Sequence, residues 1–203
     1  MYVYHGETPI KIYRGNHDIP KIYHGDTLLC DENTNLPPWT KLTNLLTNGD
    51  FSNGKTGWAF ISNSDVIGGQ FVTTGGVGYC RRFVSIETGH DVIAICKYNR
   101  SSGGTVFTLS DGTGMYDGRV FVQNLKTDGK WHTGYVRRTV VGGGTHLYFG
   151  STSANTVGAS YADDFMIIDL TAAFGAGNEP TTGEIENWMA QFDNNWFGGT
   201  KMW

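Results

Sequence analysis

Charged residues are scarce in this sequence: Asp, Glu, Lys and Arg make up 17% of 203 residues, against about 25% in an average domain. The net charge of −4 argues against a general nucleic-acid-binding surface. Proline is also rare, with 5 residues, and no Gly-X-Y period is present, which excludes a collagen-like or Pro/Gly low-complexity polymer. No apolar run approaches the ~20 residues that span a bilayer, so membrane insertion is not expected.

Cysteine is limited to Cys30, Cys80 and Cys96, an odd number without CxxC or zinc-type spacing. We expect these thiols to be reduced and partly buried, although a Cys80–Cys96 bridge stays open if their strands are neighbours. The N-terminus shows no secretory signal pattern. Synthesis in a reducing cytoplasm is therefore expected.

Glycine and aromatic residues are abundant instead. The chain has 29 Gly, about twice the usual share of about 7%. Aromatic residues reach 13%, enough apolar surface to exclude global disorder. Because glycine adopts positive φ without strain, many of these residues are expected to mark turns between short strands.

Residues 1–36 contain a near-repeat in which Tyr4, Tyr13 and Tyr23 each precede a glycine by two positions. Apolar runs that end in glycine turns are typical of short strands. Such units bury no core of their own, and two interpretations stay open: a hairpin on the same chain, or an arm that docks on a partner. For the arm, the assembly contacts would include Tyr13 and Tyr23. Residues 37–43, with paired prolines, are interpreted as a linker.

Residues 44–171 are predicted to form an antiparallel β-sandwich of about nine strands, with Gln70–Thr73 and Gly78–Ser85 as separate strands. The pairs Asp111-Gly112, Asp117-Gly118 and Asp128-Gly129 are typical hairpin turns.

In residues 172–203 the spacing of apolar residues changes from the alternation of strands to the spacing of a helix. Thr181 and Glu184 are placed as a capping box after Pro180, and an amphipathic helix of about three turns is expected to follow. Its apolar stripe and the aromatic tail require an apolar surface. We assign to assembly the residues Ile185, Trp188, Met189, Phe192 and Trp203.

No motif supports catalysis. The six histidines lack metal-type spacing, no Gly-x-Ser-x-Gly elbow is present, and most acidic residues fall in predicted turns. We therefore expect a protein that is not an enzyme. The Asp163-Asp164 pair opens the last strand, where one carboxylate turns inward and needs either a cation or several hydrogen-bond donors.

Aromatic side chains on a sheet stack on sugars, and amide and guanidinium groups add directional hydrogen bonds. Core burial is the competing role for every tyrosine, and it is the preferred one for Trp58 and Trp131. The carbohydrate-binding candidates are Tyr79, Tyr98, Tyr116, Arg119, Gln123 and Tyr148.

Two segments resemble the first and last strands of jelly-roll carbohydrate-binding modules: residues 44–58, with Asn-Gly-Asp-Phe, and residues 162–168, Ala-Asp-Asp-Phe-Met-Ile-Ile. Lys130-Trp-His-Thr is similar to a strand start common in that family. The resemblance implies a jelly-roll sandwich and a structural calcium ion with Asp163 as a ligand. Ser52 stands where the family usually has an acidic ligand.

Residues 168–186 resemble the C-terminal motif of bacteriophage virion proteins, and residues 21–29 are similar to arms of tail and baseplate proteins. The resemblance implies a virion protein that contacts other virion proteins and copies of itself. The net charge argues separately against a nucleic-acid partner. The leading hypothesis is adhesion to bacterial surface glycans. The alternatives are an architectural head or tail decoration protein and the accessory module of a secreted glycosidase.

Overall fold

A computed structural model of the chain describes residues 2–5, 8–11, 22–24, 27–30, 40–101, 103–110, 120–121, 125–151, 154 and 158–202. The chain divides into two compact units, residues 1–40 and 41–203. The C-terminal helical segment therefore belongs to the same unit as the sandwich. Within the described part of the chain, the longest helix has eight residues, and none could cross a membrane.

The described residues of the first unit form two antiparallel hairpins. Strands β1 (Tyr2–His5) and β2 (Thr8–Lys11) form one hairpin, and β3 (Ile22–His24) and β4 (Thr27–Cys30) form the other. Both have a Tyr-His pair at the end of the first strand and Thr at the start of the second, so the predicted near-repeat forms matching hairpins. Tyr13 and the 37–39 part of the predicted linker lie outside the described residues.

The described part of the second unit contains ten strands, two α-helices and one 3-10 turn. In chain order, its elements are β5 (Lys41–Thr43), β6 (Ala59–Ile67), β7 (Gln70–Val84), β8 (Asp91–Arg100), β9 (Thr105–Ser110), β10 (Val120–Phe121), β11 (Trp131–Thr139), β12 (Thr145–Ser151), β13 (Ser160–Asp169), α1 (Leu170–Phe174), α2 (Thr182–Met189), the 3-10 turn Asp193–Asn195 and β14 (Thr200–Met202). The predicted antiparallel jelly-roll sandwich, with its β arm and short C-terminal helix, is confirmed.

The sandwich has two layers that share the β6–β7 hairpin. Layer A runs in the order β6, β7, β13, β8, β11, and layer B in the order β6, β7, β12, β9, β10. The first part of β7 pairs with β13, and its second part, residues 78–84, pairs with β12. Gly75 and Gly76, both at positive φ, lie between these parts. The two strands predicted here are therefore one long strand, which bends where glycine permits it.

The core lies between the layers and is rich in phenylalanine. Phe165 of β13 contacts the rings of Phe149 and Phe107 from layer B at centroid distances of 5.9 and 6.3 Å. Cys80 and Cys96 are buried in the same cluster as free thiols, so the reduced state is confirmed for this pair. Burial raises the pKa of both thiols, which keeps them protonated.

Asn44 connects the start of the unit to its end. Its Nδ2 donates to the carbonyl oxygens of Phe197 and Phe165 at 3.2 and 3.5 Å. Its Oδ1 accepts from the backbone N–H groups of Leu46 and Ile167 at 3.0 and 3.2 Å. Because Asn44 is buried, these four bonds satisfy backbone groups that water does not reach.

The glycine of the Asn-Gly-Asp-Phe motif, Gly49, is required by its close contact with β13. A Cβ at this position would lie 2.0 Å from the carbonyl oxygen of Phe165, closer than any side chain allows. The Gly49 carbonyl accepts from the N–H of Phe165 at 2.9 Å. The glycine therefore lets the loop after Asn44 lie against β13.

Helix α2 packs on the outer side of layer A. The predicted capping box is present, since Thr181 and Glu184 bond each other's backbone N–H groups. Ile185, Trp188 and Met189 are buried against Ile93, Ile95, Met166 and Ile168 of β8 and β13. Phe192 is partly buried on the same cluster, beyond the helix, which ends at Met189 and is one turn shorter than predicted.

The assignment of these helix side chains to assembly contacts is therefore corrected. The strands β8 and β13 have apolar side chains on both sides. One side faces the core between the layers, so the apolar side chains on the outer side must be buried against another element. The helix of the same chain provides that cover. Trp203 lies outside the described residues, and the side chain of Tyr23 is not described.

Candidate functional site

The outer side of layer B, away from the core, carries several aromatic side chains and an arginine. In the β7–β12 ladder, Phe83 lies opposite His146, and Arg81 lies opposite Tyr148. Residues that face each other in an antiparallel pair share one side of the sheet. Since Cys80, Leu147 and Phe149 take the core side, the four residues Arg81, Phe83, His146 and Tyr148 lie on the outer side. We refer to them as the Phe83 face.

The rings of this face form a continuous series. The Phe83 and His146 centroids are 4.9 Å apart, and those of His146 and Tyr148 are 5.8 Å apart. Tyr148 then contacts Tyr79 at 5.9 Å. Exposure changes along the series: Phe83 is 50% exposed, His146 is half-buried, and Tyr148 is only 2% exposed. The ring available to a ligand is therefore that of Phe83.

The predicted sugar-stacking role of three tyrosines is corrected by their burial. Tyr98 lies in the core cluster, where its hydroxyl accepts from the N–H of Lys126 at 3.1 Å. Tyr79 and Tyr148 lie on the outer side of layer B, but they are 7% and 2% exposed. Without an exposed ring face, none of the three stacks on a sugar. Tyr116, Arg119 and Gln123 lie outside the described residues.

Arg81 supplies the polar part of the Phe83 face. Its side chain is half-buried, and it has neither a hydrogen bond nor an ion pair with the described residues. A guanidinium carries five N–H donors in a planar fork. An exposed phenyl ring on the same side of the sheet as donors that no described residue engages combines the two contacts that a sugar ring requires: an apolar surface for its C–H groups and donors for its hydroxyl oxygens.

Sequence reasoning missed Arg81 and Phe83, although a signal was present. In the strand Gly78–Ser85, alternation places Tyr79, Arg81 and Phe83 on one side. Of these three residues only Tyr79 was a candidate. Phe83 carries the accessible ring, and Arg81 carries the charge.

Asp163, the predicted calcium ligand, lies on the outer side of layer A opposite Lys97. Its Oδ1 accepts from the N–H of Asp164 at 2.8 Å. Burial raises the pKa of its carboxyl to about 6, and the charges of Asp164 and Asp50 act in the same direction, whereas the hydrogen bonds from Asp164 and Gln70 oppose the shift.

The described side chains do not form a complete calcium site. Calcium takes six to eight oxygen ligands, and the described part of the chain holds no group of three or more acidic, histidine or cysteine side chains placed for a metal. Ser52, at the family's acidic position, donates its hydroxyl to Asp50 Oδ1 at 2.9 Å. Asp163 thus belongs to no such group among the described residues, and calcium stays a prediction.

Asp163→Asn is expected to stabilise the unit at pH 7.5. A carboxyl whose pKa is raised in the folded state binds more protons there than in the unfolded state, so the stability that Asp163 contributes is lost as pH rises from about 4 to 6. Asparagine removes this penalty, with a gain of about 1 kcal/mol after allowance for solvent screening. Thermal melts at pH 4.5 and 7.5 measure it, and the gain should vanish at the lower pH.

The same melts test calcium when they are repeated in EGTA and in CaCl2. If Asp163 is a ligand, calcium raises the melting temperature of the wild type and leaves that of Asp163→Asn unchanged. An equal rise in both proteins, or in neither, contradicts the assignment of Asp163 as a calcium ligand.

Comparison with known proteins yields structural likenesses and no sequence family. No protein-family model matches the chain, and no curated protein matches it. A structure of a family 4 carbohydrate-binding module has a TM-score of 0.48 and 13% identity, over 61% of this chain and 98% of that chain. The tandem family 22 modules of Paenibacillus barcinonensis Xyn10C have a TM-score of 0.49 and 15% identity, over 63% and 50%. The active domain of bacteriophage CBA120 tailspike protein 4 has a TM-score of 0.46 and 14% identity, over 61% and 21%.

Proposed function

We propose that this chain is a non-enzymatic carbohydrate-binding protein and that the Phe83 face holds the sugar. The observation that carries the proposal is the half-exposed Phe83 ring, which packs against His146 and shares its side of the sheet with Arg81, whose guanidinium has no partner among the described residues. The phenyl ring stacks on the C–H face of a pyranose, and Arg81 donates to its hydroxyl oxygens. His146 packs against the Phe83 ring, and Tyr148 packs against His146 in turn.

A site of one exposed ring and one guanidinium binds weakly, because few contacts offset the loss of translational and rotational freedom. Several copies on one particle raise the effective affinity without any new contact. The resemblance of residues 168–186 and 21–29 to phage proteins supports such a setting. The proposed role is adhesion of a virion to bacterial surface glycans, with the N-terminal hairpins as the attachment to other virion proteins.

The second candidate is an architectural protein of the particle without sugar binding. It is favoured by the burial of Tyr79, Tyr98 and Tyr148, the tyrosines that the sequence offered as ligands. This candidate predicts that the Phe83 face meets another protein surface and that no glycan binds. An accessory module of a glycosidase would instead bind sugar through the same face.

The test is an NMR titration of the isotope-labelled full chain with hexasaccharides of β-1,4-linked glucose, xylose and N-acetylglucosamine. Amide shifts are expected at residues 81–84 and 145–148. Phe83→Ala removes the stacking ring and should raise the dissociation constant about tenfold, equivalent to about 1.4 kcal/mol.

Val141→Ala is the matched control, because Val141 is also an exposed apolar side chain but lies in the turn after β11. It should bind like the wild type. Absence of shifts at the Phe83 face with all three sugars would overturn the proposal in favour of the architectural candidate.

A further inference from the structure

Beyond helix α2, the outer side of layer A carries side chains that the described residues leave partly exposed. The apolar residues Ile93 and Ile95 of β8 are covered by the helical segment, and the same side of the strand continues with Lys97 and Asn99. Trp131 of β11 lies opposite Asn99 on one flank, and Tyr161 of β13 lies opposite it on the other. The three side chains therefore form one row across three adjacent strands, the Trp131 platform.

The two rings of the platform are accessible. Trp131 is 42% exposed and Tyr161 is 36% exposed, in contrast to the buried tyrosines of layer B. Their strands are separated by β8, which places the two backbones about 10 Å apart. This separation matches the length of a disaccharide unit in an extended β-1,4-linked glycan, in which every second sugar presents the same face.

A polar row runs beside the two rings, one step along the strands towards α2. Thr133 lies opposite Lys97, and Lys97 lies opposite Asp163. Lys97 is held in place by Asn194 and by the carboxylate of Asp164 at 3.8 Å. Thr133 Oγ1 accepts from Asn195 Nδ2 at 3.2 Å. These side chains are fixed by their neighbours, so they present donors and acceptors with little further loss of conformational entropy on binding.

Asn99 places an amide between the rings. Its Nδ2 donates to the carbonyl oxygen of Gly129 at 2.9 Å, which orients the side chain. Its Oδ1 accepts no hydrogen bond from the described residues. The oxygen is thus available to a hydroxyl group of a ligand that spans the two rings.

We infer that the Trp131 platform is a second carbohydrate surface, which binds an extended β-1,4-linked glycan laid across the strands with sugars stacked on Trp131 and Tyr161. The chemistry favours a glycan over a protein partner, because charged groups are depleted at the centre of protein interfaces, whereas Lys97 and Asp163 lie directly beside the rings. The platform is separate from the Phe83 face, since the two lie on the outer sides of different layers.

The experiment is the same NMR titration of the full chain with the three β-1,4-linked hexasaccharides. Shifts are expected at residues 97–100, 131–133 and 160–162 with at least one sugar. Trp131→Ala and Tyr161→Ala should each raise the dissociation constant measured at these residues about tenfold. Trp131→Tyr retains a ring and should retain most of the binding. Unchanged spectra of the core residues show that the variants fold.

Binding at the Phe83 face and binding at the Trp131 platform are measured separately, from the shifts of their own residues. Phe83→Ala should leave shifts at the platform intact, so failure of the proposed function and failure of this inference give different spectra. Absence of platform shifts with all three sugars overturns the inference, and so do shifts that persist in both alanine variants. Concentration-dependent self-association that Trp131→Ala abolishes, without any sugar shift, also overturns it and assigns the platform to a second copy of the chain.

Discussion

Trp188→Ala is expected to destabilise the isolated protein by about 3 kcal/mol, in the range of large-to-small substitutions at buried aromatic positions. Trp188 is buried on layer A, and its ring lies 4.8 and 5.5 Å from those of Phe192 and Phe197. Loss of the indole opens the cover over Ile93 and Met166. A lower melting temperature and increased binding of an apolar dye should both be observed.

The same substitution separates the two roles of the helix. A helix that docks on another protein would lose assembly and keep its melting temperature in isolation, whereas a helix that covers its own sheet shows the opposite. Asn187→Ala is the matched control, since Asn187 is exposed on the same helix. A wild-type melting temperature for Trp188→Ala would contradict the intrachain role.

Asn44→Ala is expected to reduce stability by about 3 kcal/mol or more, because it leaves buried backbone donors and acceptors without partners. The amide satisfies the N–H groups of Leu46 and Ile167 and the carbonyl oxygens of Phe165 and Phe197. Only one side chain is removed, but three chain segments lose their connection. Chemical denaturation of the variant and the wild type measures the difference.

Two further variants test whether the loss of stability is specific to the hydrogen bonds of the Asn44 amide. Asn53→Ala changes an exposed asparagine in the following loop and should have little effect. Asn44→Asp keeps the acceptor oxygen but loses the donor and adds a buried charge, so it should be at least as destabilising as alanine. An alanine variant within about 0.5 kcal/mol of the wild type would contradict the role of Asn44.

Local patterns predicted the elements of this fold well. Alternation and glycine turns indicated the strands of the sandwich, and the Thr181–Glu184 capping box marked the start of α2. The bend of β7 was missed because a glycine pair is as typical of a turn as of a bend. Only the pairing of both halves with β6 shows that the strand continues.

The side of each strand that becomes core was harder to predict. Alternation shows that Tyr79, Arg81 and Phe83 share a side, but it does not show how deeply each is buried. Exposure depends on neighbours far along the sequence, such as Tyr148 beside Tyr79. Likewise, Trp131 and Tyr161 are thirty residues apart, and only the register of β8 brings them onto one row. Trp131 is exposed, in contrast to the burial that the sequence favoured.

The pairing of β5 with β14 determines how the sandwich responds to mechanical load. Lys41 lies opposite Met202, so the chain enters and leaves the second unit side by side. A force applied through these two points opens the ladder from its end, one pair at a time, and reaches Asn44 after three pairs. The two layers and both outer faces lie beyond that point. Under such a load the second unit therefore yields first at this short ladder, while the surfaces proposed to hold glycans keep their shape.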